Sequence, residues 1–181
     1  MGPVLDASEM ISDAAISIYN GVLYKALDWQ TLSPTAQRRG EASIRIISAL
    51  FGVVTPGDQI FGYKSKIKGS RWKSEISKIL DNRKDELIID CRSSTYLGVW
   101  TPPHHRTVEI RVFQVANSER TVITHMSKKY RGDFARAVLN LKREPGSVAE
   151  LVEQMQEHFN FDFTEATENE PHHLNLLIEI G

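Results

Sequence analysis

The sequence of 181 residues holds a single cysteine, Cys91. One thiol excludes an intrachain disulfide and any metal centre built on cysteines. Cys91 closes the apolar run Leu87–Cys91, where a thiol reads first as a small buried hydrophobe. Long apolar runs are missing as well, and no stretch approaches the roughly 18 residues of a membrane span. Met1–Asp13 carries no Lys or Arg ahead of its apolar residues, so it lacks a signal-peptide layout and a cytoplasmic location is expected. The P-loop, GxGxxG, HExxH and GxSxG signatures are absent, as is any paired metal-ligand spacing. No catalytic residue, cofactor or metal ligand is therefore nominated, and the reading leans away from an enzyme. His104-His105 and His172-His173 are adjacent pairs. Neighbouring side chains point apart, so both pairs read as exposed loop histidines rather than ligands of one metal. Among the acidic residues only Asp90, at a strand end, stands out.

Cations are missing from one part of the chain. Glu144–Gly181 contains nine acidic residues and no Lys or Arg, which leaves Met1–Arg143 with 22 basic against 14 acidic residues, a net of +8. A basic body with an acidic C-terminal stretch is a signature of polyanion binding, with the acidic arm competing for the basic surface. The alternative is two solvated faces of one ordinary domain. Hydrophobic residues at 41% and charged residues at 25% are a globular mixture, enough for one core.

The pattern predicts a mixed α/β fold (mixed α+β), a single domain around a central mixed sheet. Ile16–Tyr19 reads as a short strand before a turn at Asn20-Gly21. Ser33-Pro34 starts a helix, because Ser caps and Pro tolerates the first helical position. Ile44, Ile47 and Leu50 continue at near-helical spacing, so that helix is expected to reach Phe51-Gly52. Trp72, Ile76, Ile79 and Leu80 mark a second helix, and Phe134, Val138 and Leu141 a third. Leu87–Asp90 reads as a buried strand. Thr107–Ala116 alternates as a strand, turns at Asn117–Glu119 and returns through Arg120–Met126. Ser147 with Glu150 forms a capping box for a fourth helix running to about His158. Phe159–Phe163 and Leu174–Ile180 close the order as strands.

Three segments carry polyanion chemistry. Lys64, Lys66, Lys68, Arg71, Lys73, Lys78, Arg83 and Lys84 are interleaved with Tyr63 and Trp72. Cations neutralise phosphates and aromatic faces stack on unpaired bases; alternatively Trp72 is core and the lysines are a solvated face. Ser127-Lys128-Lys129-Tyr130-Arg131-Gly132, with Arg136 beyond, sits at a strand-to-helix junction. Free N–H groups and the helix dipole favour an anion there, Ser127 is placed to cap, and Arg131 to grip a phosphate in a bidentate way. Ile44–Ile60 reads as helix, apolar glycine hairpin and turn, an arrangement able to offer backbone N–H groups to DNA phosphates, or as an ordinary helix stop.

In series these segments resemble the YaaA family of bacterial peroxide-stress proteins. Tyr19-Asn20-Gly21-Val22-Leu23-Tyr24-Lys25-Ala26-Leu27 is similar to the family's Y-T-G-x-x-Y-x-x-L. Ile47-Ser48-Ala49-Leu50-Phe51-Gly52-Val53-Val54-Thr55-Pro56-Gly57-Asp58 is similar to L-S-G-L-Y-G-x-L-R-P-x-D. Tyr63-Lys64 stands at P-Y-R, Asp90-Cys91-Arg92-Ser93-Ser94-Thr95-Tyr96 at N-L-A-S-x-E-Y, or D-L-R-S-x-x-Y in shorter relatives, and Ser127–Gly132 at A-K-K-A-R-G. The resemblance runs from about Ile16 to Phe163. It implies a YaaA-like α/β fold with a positively charged cleft and a helix-hairpin-helix-like element. It also implies non-sequence-specific DNA binding and a role in limiting iron-driven damage under peroxide stress. Tyr63, Lys64, Ser93, Tyr96, Lys128, Lys129 and Arg131 are the implied cleft residues. Leu50, Phe51, Gly52, Val53, Val54 and Pro56 are the implied hairpin. Domain bounds of 1–165 and an acidic strand or tail at 166–181 follow, the family's N-terminal strand region being expected to be missing. Thr55 and Lys64 replace family arginines, which weakens bidentate phosphate contacts, since Lys is a point charge. The competing expectation is a small-ligand protein or enzyme holding a phosphorylated metabolite in the same cleft, or a truncated, inactive relative.

Overall fold

The computed structural model describes residues 12–83, 85–116, 119–123 and 126–179. Lys84, Asn117 and Ile180 of the expectations above lie outside them. The fold is mixed α/β, as the sequence pattern implied. Its largest sheet is built on β6 (Thr107–Ala116) and β9 (His172–Glu179), which run parallel from Val108↔His172 to Val115↔Glu179. On the other edge of β6, β5 (Ile88–Asp90) pairs in parallel with Thr107–Glu109, and β7 (Glu119–Val122) pairs antiparallel with Phe113–Ala116. β8 (Phe161–Thr164) closes the far side, antiparallel to β9. The segment beyond residue 165 therefore contributes an interior strand.

Alternation explains the layering. Val108, Ile110 and Val112 on β6 and Leu174 and Leu176 on β9 are buried on one face. They pack with Phe134 and Leu141 from around α6 (Ser127–Asn140) and with Leu151 and Met155 of α7 (Val148–Met155). Period-2 strands and period-3.6 helices thus present matching apolar surfaces. Ser147 caps α7 as expected, its Oγ accepting the Glu150 N–H at 3.2 Å.

A second core gathers the N-terminal half. β1 (Ser12–Ala14) pairs with β4 (Gln59–Phe61). α1 (Ala15–Ile18), α2 (Val22–Leu27) and α3 (Pro34–Ser43) surround Leu27, Ala36, Ile46 and Leu139. Ile16–Tyr19, expected as a strand, is mostly the single helical turn α1, because Ala15 and Ile16 bury against this core while Tyr19 N–H returns to the Ala15 carbonyl at 3.0 Å. Ser33 caps α3 through the Ala36 N–H at 3.2 Å. However, α3 stops at Ser43.

The residues from Ile46 form a β-hairpin, β2 (Ile46–Ser48) against β3 (Gly52–Val54), in register Ile46↔Val54 to Ser48↔Gly52. The expected helix through Phe51-Gly52 and the helix-hairpin-helix-like reading are corrected accordingly. Strands, not helices, flank the turn. Ile46 and Ser48 are buried with the half-buried Ile47 between them, a period of two that short apolar runs share with a helix. Gly52 has φ +80 and the Trp72 ring 3.0 Å from where a Cβ would stand, so the turn needs glycine for both conformation and space.

α6 is the shared wall of the two cores. A Cβ on Gly132 would lie 2.2 Å from the Leu23 carbonyl oxygen and 2.7 Å from Ala26 Cβ, so α2 crosses α6 at backbone contact there.

Candidate functional site

Four tyrosines from four separate segments converge. Tyr19 follows α1, Tyr24 lies on α2, Tyr63 follows β4, and Tyr96 lies on α5 (Ser94–Leu97). The Tyr19 and Tyr63 hydroxyls share a hydrogen bond of 3.1 Å. Tyr63 also shares one of 2.7 Å with Ser48 Oγ and accepts the Ala49 N–H at 3.0 Å. Tyr19 and Tyr24 stack with centroids 5.3 Å apart, and Tyr63 meets Tyr19 edge-on at 6.4 Å. Burial holds the Tyr24 phenol well above the usual tyrosine value, with the charges of Tyr96 and Tyr63 adding to the rise. Burial raises Tyr19 and Tyr96 as well, each further lifted by Tyr63. Tyr19, Tyr24 and Tyr96 are thereby held towards their protonated forms, since burial disfavours the phenolate.

The sequence nominated Tyr63 and Tyr96 but missed Tyr19, Tyr24 and Ser48. Their signal was present: all three sit in segments that carried the resemblance, and nothing local requires a phenol at Tyr19 and Tyr24 or a hydroxyl at Ser48.

A basic loop is strapped to this cluster. Between β4 and α4 (Gly69–Leu80) the chain runs through Tyr63, Lys64, Lys66 and Lys68. Tyr63 anchors its start on the Ala49 N–H, and Trp72 anchors its end, with Nε1 donating to the Ala49 carbonyl at 2.9 Å. Both bonds land on Ala49 in the β2–β3 turn, while Phe51 meets the Tyr63 ring edge-on at 5.6 Å and Gly52 lies against the Trp72 ring. Trp72 is a half-buried anchor over Gly52, with the Arg71 guanidinium 5.5 Å from its ring. Lys64, Lys66, Lys68, Arg71 and Lys73 are exposed. None enters an ion pair among the described residues, whereas Lys78 pairs with Glu75 and Arg83 with Glu86, each at 2.8 Å.

The α6 junction is more occupied than its sequence implied. Met126, not Ser127, is the N-cap, and Ser127 is the buried first helical residue. Lys128 is exposed and outside any ion pair among the described residues. Lys129 is exposed but bonds Asp133 at 2.7 Å, which raises its pKa. Arg131 Nε donates to the Ile110 carbonyl at 2.9 Å, holding the start of α6 on β6.

Arg136 is absorbed into the fold. It donates to the carbonyls of Leu27 and Asp28 and to Thr31 Oγ1, each at 2.8 Å, and so caps the C-terminal end of α2. Helix-end carbonyls thus compete for the guanidinium donors that the sequence pattern offers to an anion. Asp90 is held in the same way by Arg92, whose Nη2 lies 2.6 Å from Asp90 Oδ2, while Nη1 ties Tyr96 and Trp100 carbonyls. This clasp shapes the Ser93–Tyr96 segment. Ser93 is half-buried, and its carbonyl accepts the Tyr96 N–H at 2.8 Å. Burial pushes the Cys91 thiol up to about 12, with Asp90 adding and Arg131 opposing, so it is a protonated packing group.

His172 and His173 are strand residues of β9 rather than loop residues, and His173 is buried. Among the described residues no group of three or more His, Cys, Asp or Glu is arranged to hold a metal, and no helix is long and apolar enough to cross a membrane. Two cavities, one of about 400 Å³ bounded by Thr101–His105 with Thr167 and Glu168, contain none of the four tyrosines.

The fold and site define a mixed α/β protein in which unpaired cations border a phenolic cluster. A family profile described as peroxide stress protein YaaA matches residues 4–165. The chain belongs to that family. It is similar to a UPF0246 protein of Streptomyces coelicolor, 31% identical over 172 residues, covering 86% of this chain and 65% of the relative. A UPF0246 protein of Corynebacterium efficiens is 36% identical over 152 residues, covering 77% of this chain and 60% of the relative. The chain thus spans between three-fifths and two-thirds of the length of these curated relatives.

Proposed function

We propose that this chain acts in the peroxide-stress response by binding DNA without sequence preference, through the basic segment Lys64–Lys73, which runs from the loop into the start of α4, and the neighbouring tyrosine-lined surface, and so limits iron-driven damage to it in the cytoplasm. One observation carries the reading. Five exposed cations, with no acidic residue among them in the sequence, stand outside every ion pair among the described residues on a segment anchored at both ends. Cations that a protein neutralises for itself contribute little to polyanion binding, whereas unpaired ones release counterions from the phosphate backbone. Anchoring at Tyr63 and Trp72 reduces the ordering cost of binding. Lys128, exposed and outside any ion pair among the described residues, is a further phosphate contact in this reading.

The test is fluorescence anisotropy of a labelled duplex at two salt concentrations. The parent is compared with Lys64→Gln/Lys66→Gln/Lys68→Gln and with Lys128→Gln. Binding that weakens steeply with salt, and more shallowly for the triple variant, is expected. Salt-independent binding, or none at low salt by a cooperatively folded parent, overturns the proposal.

A further inference from the structure

The chain has five tyrosines, and four of them form the cluster described above. The fifth, Tyr130, packs instead beside Lys129, whose Nζ lies 5.1 Å from its ring. Within the cluster Tyr19 and Tyr24 form the closest ring pair, with planes inclined by only 21°. At a centroid separation of 5.3 Å such rings are offset-stacked rather than face to face, which lays the edge of one ring over the edge of the other. The pair is held by structure on both sides: Tyr19 N–H bonds the Ala15 carbonyl in α1, and α2 is pinned under Gly132. The Tyr19 hydroxyl meets the Tyr63 hydroxyl, which in turn meets Ser48, so a proton leaving Tyr19 has a hydrogen-bonded path away from the ring.

We propose that Tyr19 and Tyr24 are a site of intrachain oxidative cross-linking, converted to dityrosine by one-electron oxidants of the hydroxyl-radical class. Each phenol gives one electron and one proton to one hydroxyl radical, which becomes water. The two phenoxyl radicals join by a carbon–carbon bond between ring positions next to the hydroxyls. Each joined carbon then returns its hydrogen to its own oxygen, restoring both aromatic rings. Two tyrosines and two hydroxyl radicals thus give one dityrosine and two waters. The link closes the Asn20-Gly21 corner and fixes α1 to α2. It requires no nucleic acid, so it stands or falls separately from DNA binding.

The experiment treats the full chain with limiting ferrous iron and hydrogen peroxide, which generate the radical. It reads dityrosine emission and the mass of the tryptic peptide Met1–Lys25, which contains both rings. The expected result is a loss of two hydrogens within that peptide, abolished in Tyr24→Phe and unchanged in Tyr130→Phe. Tyr63→Phe, which removes the proton path but leaves the ring, is expected to lower the yield. The proposal is overturned if the peptide keeps its hydrogens, if it is joined instead to the Ile46–Lys64 peptide, or if Tyr24→Phe retains the emission. An equal yield in denaturant also overturns it, since the fold would then contribute nothing.

Discussion

Arg136 and Lys64 carry the same charge, but their surroundings differ. Lys64 is exposed, while Arg136 faces three oxygens at the end of α2. Arg136→Ala is therefore expected to lower stability by about 1–3 kcal/mol, as loss of a charged donor leaves carbonyls unpaired. A denaturant melt reads this, and the salt slope of DNA binding should not move. His173 offers a pH-dependent counterpart. Its ring is buried and Nε2 has no hydrogen-bond partner among the described residues, with Glu109 at 3.7 Å and Glu170 at 3.9 Å. Burial, helped by Arg111, lowers its pKa against the opposing pull of Glu109 and Glu170. The unfolded chain then binds a proton near pH 6.5 that the folded chain refuses. Its contribution is complete above that value and is lost as pH falls towards the depressed folded value. Thermal melts across that range should show a fall in stability on acidification that is flatter in His173→Leu.

Elements meet here through small residues and carbonyl clasps. α2 is six residues long, too short to be stable alone. Its order comes from α6, through Gly132 beneath it and Arg136 at its end. Gly132→Ala places a methyl group 2.2 Å from the Leu23 carbonyl. Overpacking of this kind costs about 1–3 kcal/mol, and Tyr24, carried on α2, should shift with it. Tyrosine fluorescence together with a chemical melt reads both effects. If the melt is unchanged, the close crossing does not constrain the fold. α3 depends on α6 in the same way: Arg39 donates to the Leu139 carbonyl at 3.3 Å and to Lys142 at 3.1 Å.

Across the whole molecule, charge is divided by position. The strand built from the acidic C-terminal stretch lies inside the sheet between β6 and β8, while the basic loop stands on the β2–β3 turn. Because non-specific DNA affinity follows the number of phosphates neutralised, removing three lysines should reduce the salt slope by about 3. Anisotropy titrations over several salt concentrations give that slope. A slope equal to the parent's would show that Lys64, Lys66 and Lys68 touch no phosphate.

The sequence by itself determined the mixed α/β class, the strand Thr107–Ala116, the helix starts at Ser33 and Ser147 and the basic run after Tyr63. These are local signals: a period of two, a capping hydroxyl, a count of charges. It also carried the family, through short segments in order. It misplaced Ile44–Leu50 at the end of a helix, because three apolar residues at that spacing fit a helix and a strand alike and only Gly52, with Trp72 over it, closes the hairpin. Only the tertiary structure decided that Arg136 serves a helix end, that Tyr63 and Trp72 both grip Ala49, and that Tyr63 and Tyr96 join the Tyr19–Tyr24 pair in one site. Each of these depends on contacts between residues far apart in the chain, and such contacts follow from how the cores pack rather than from any local pattern.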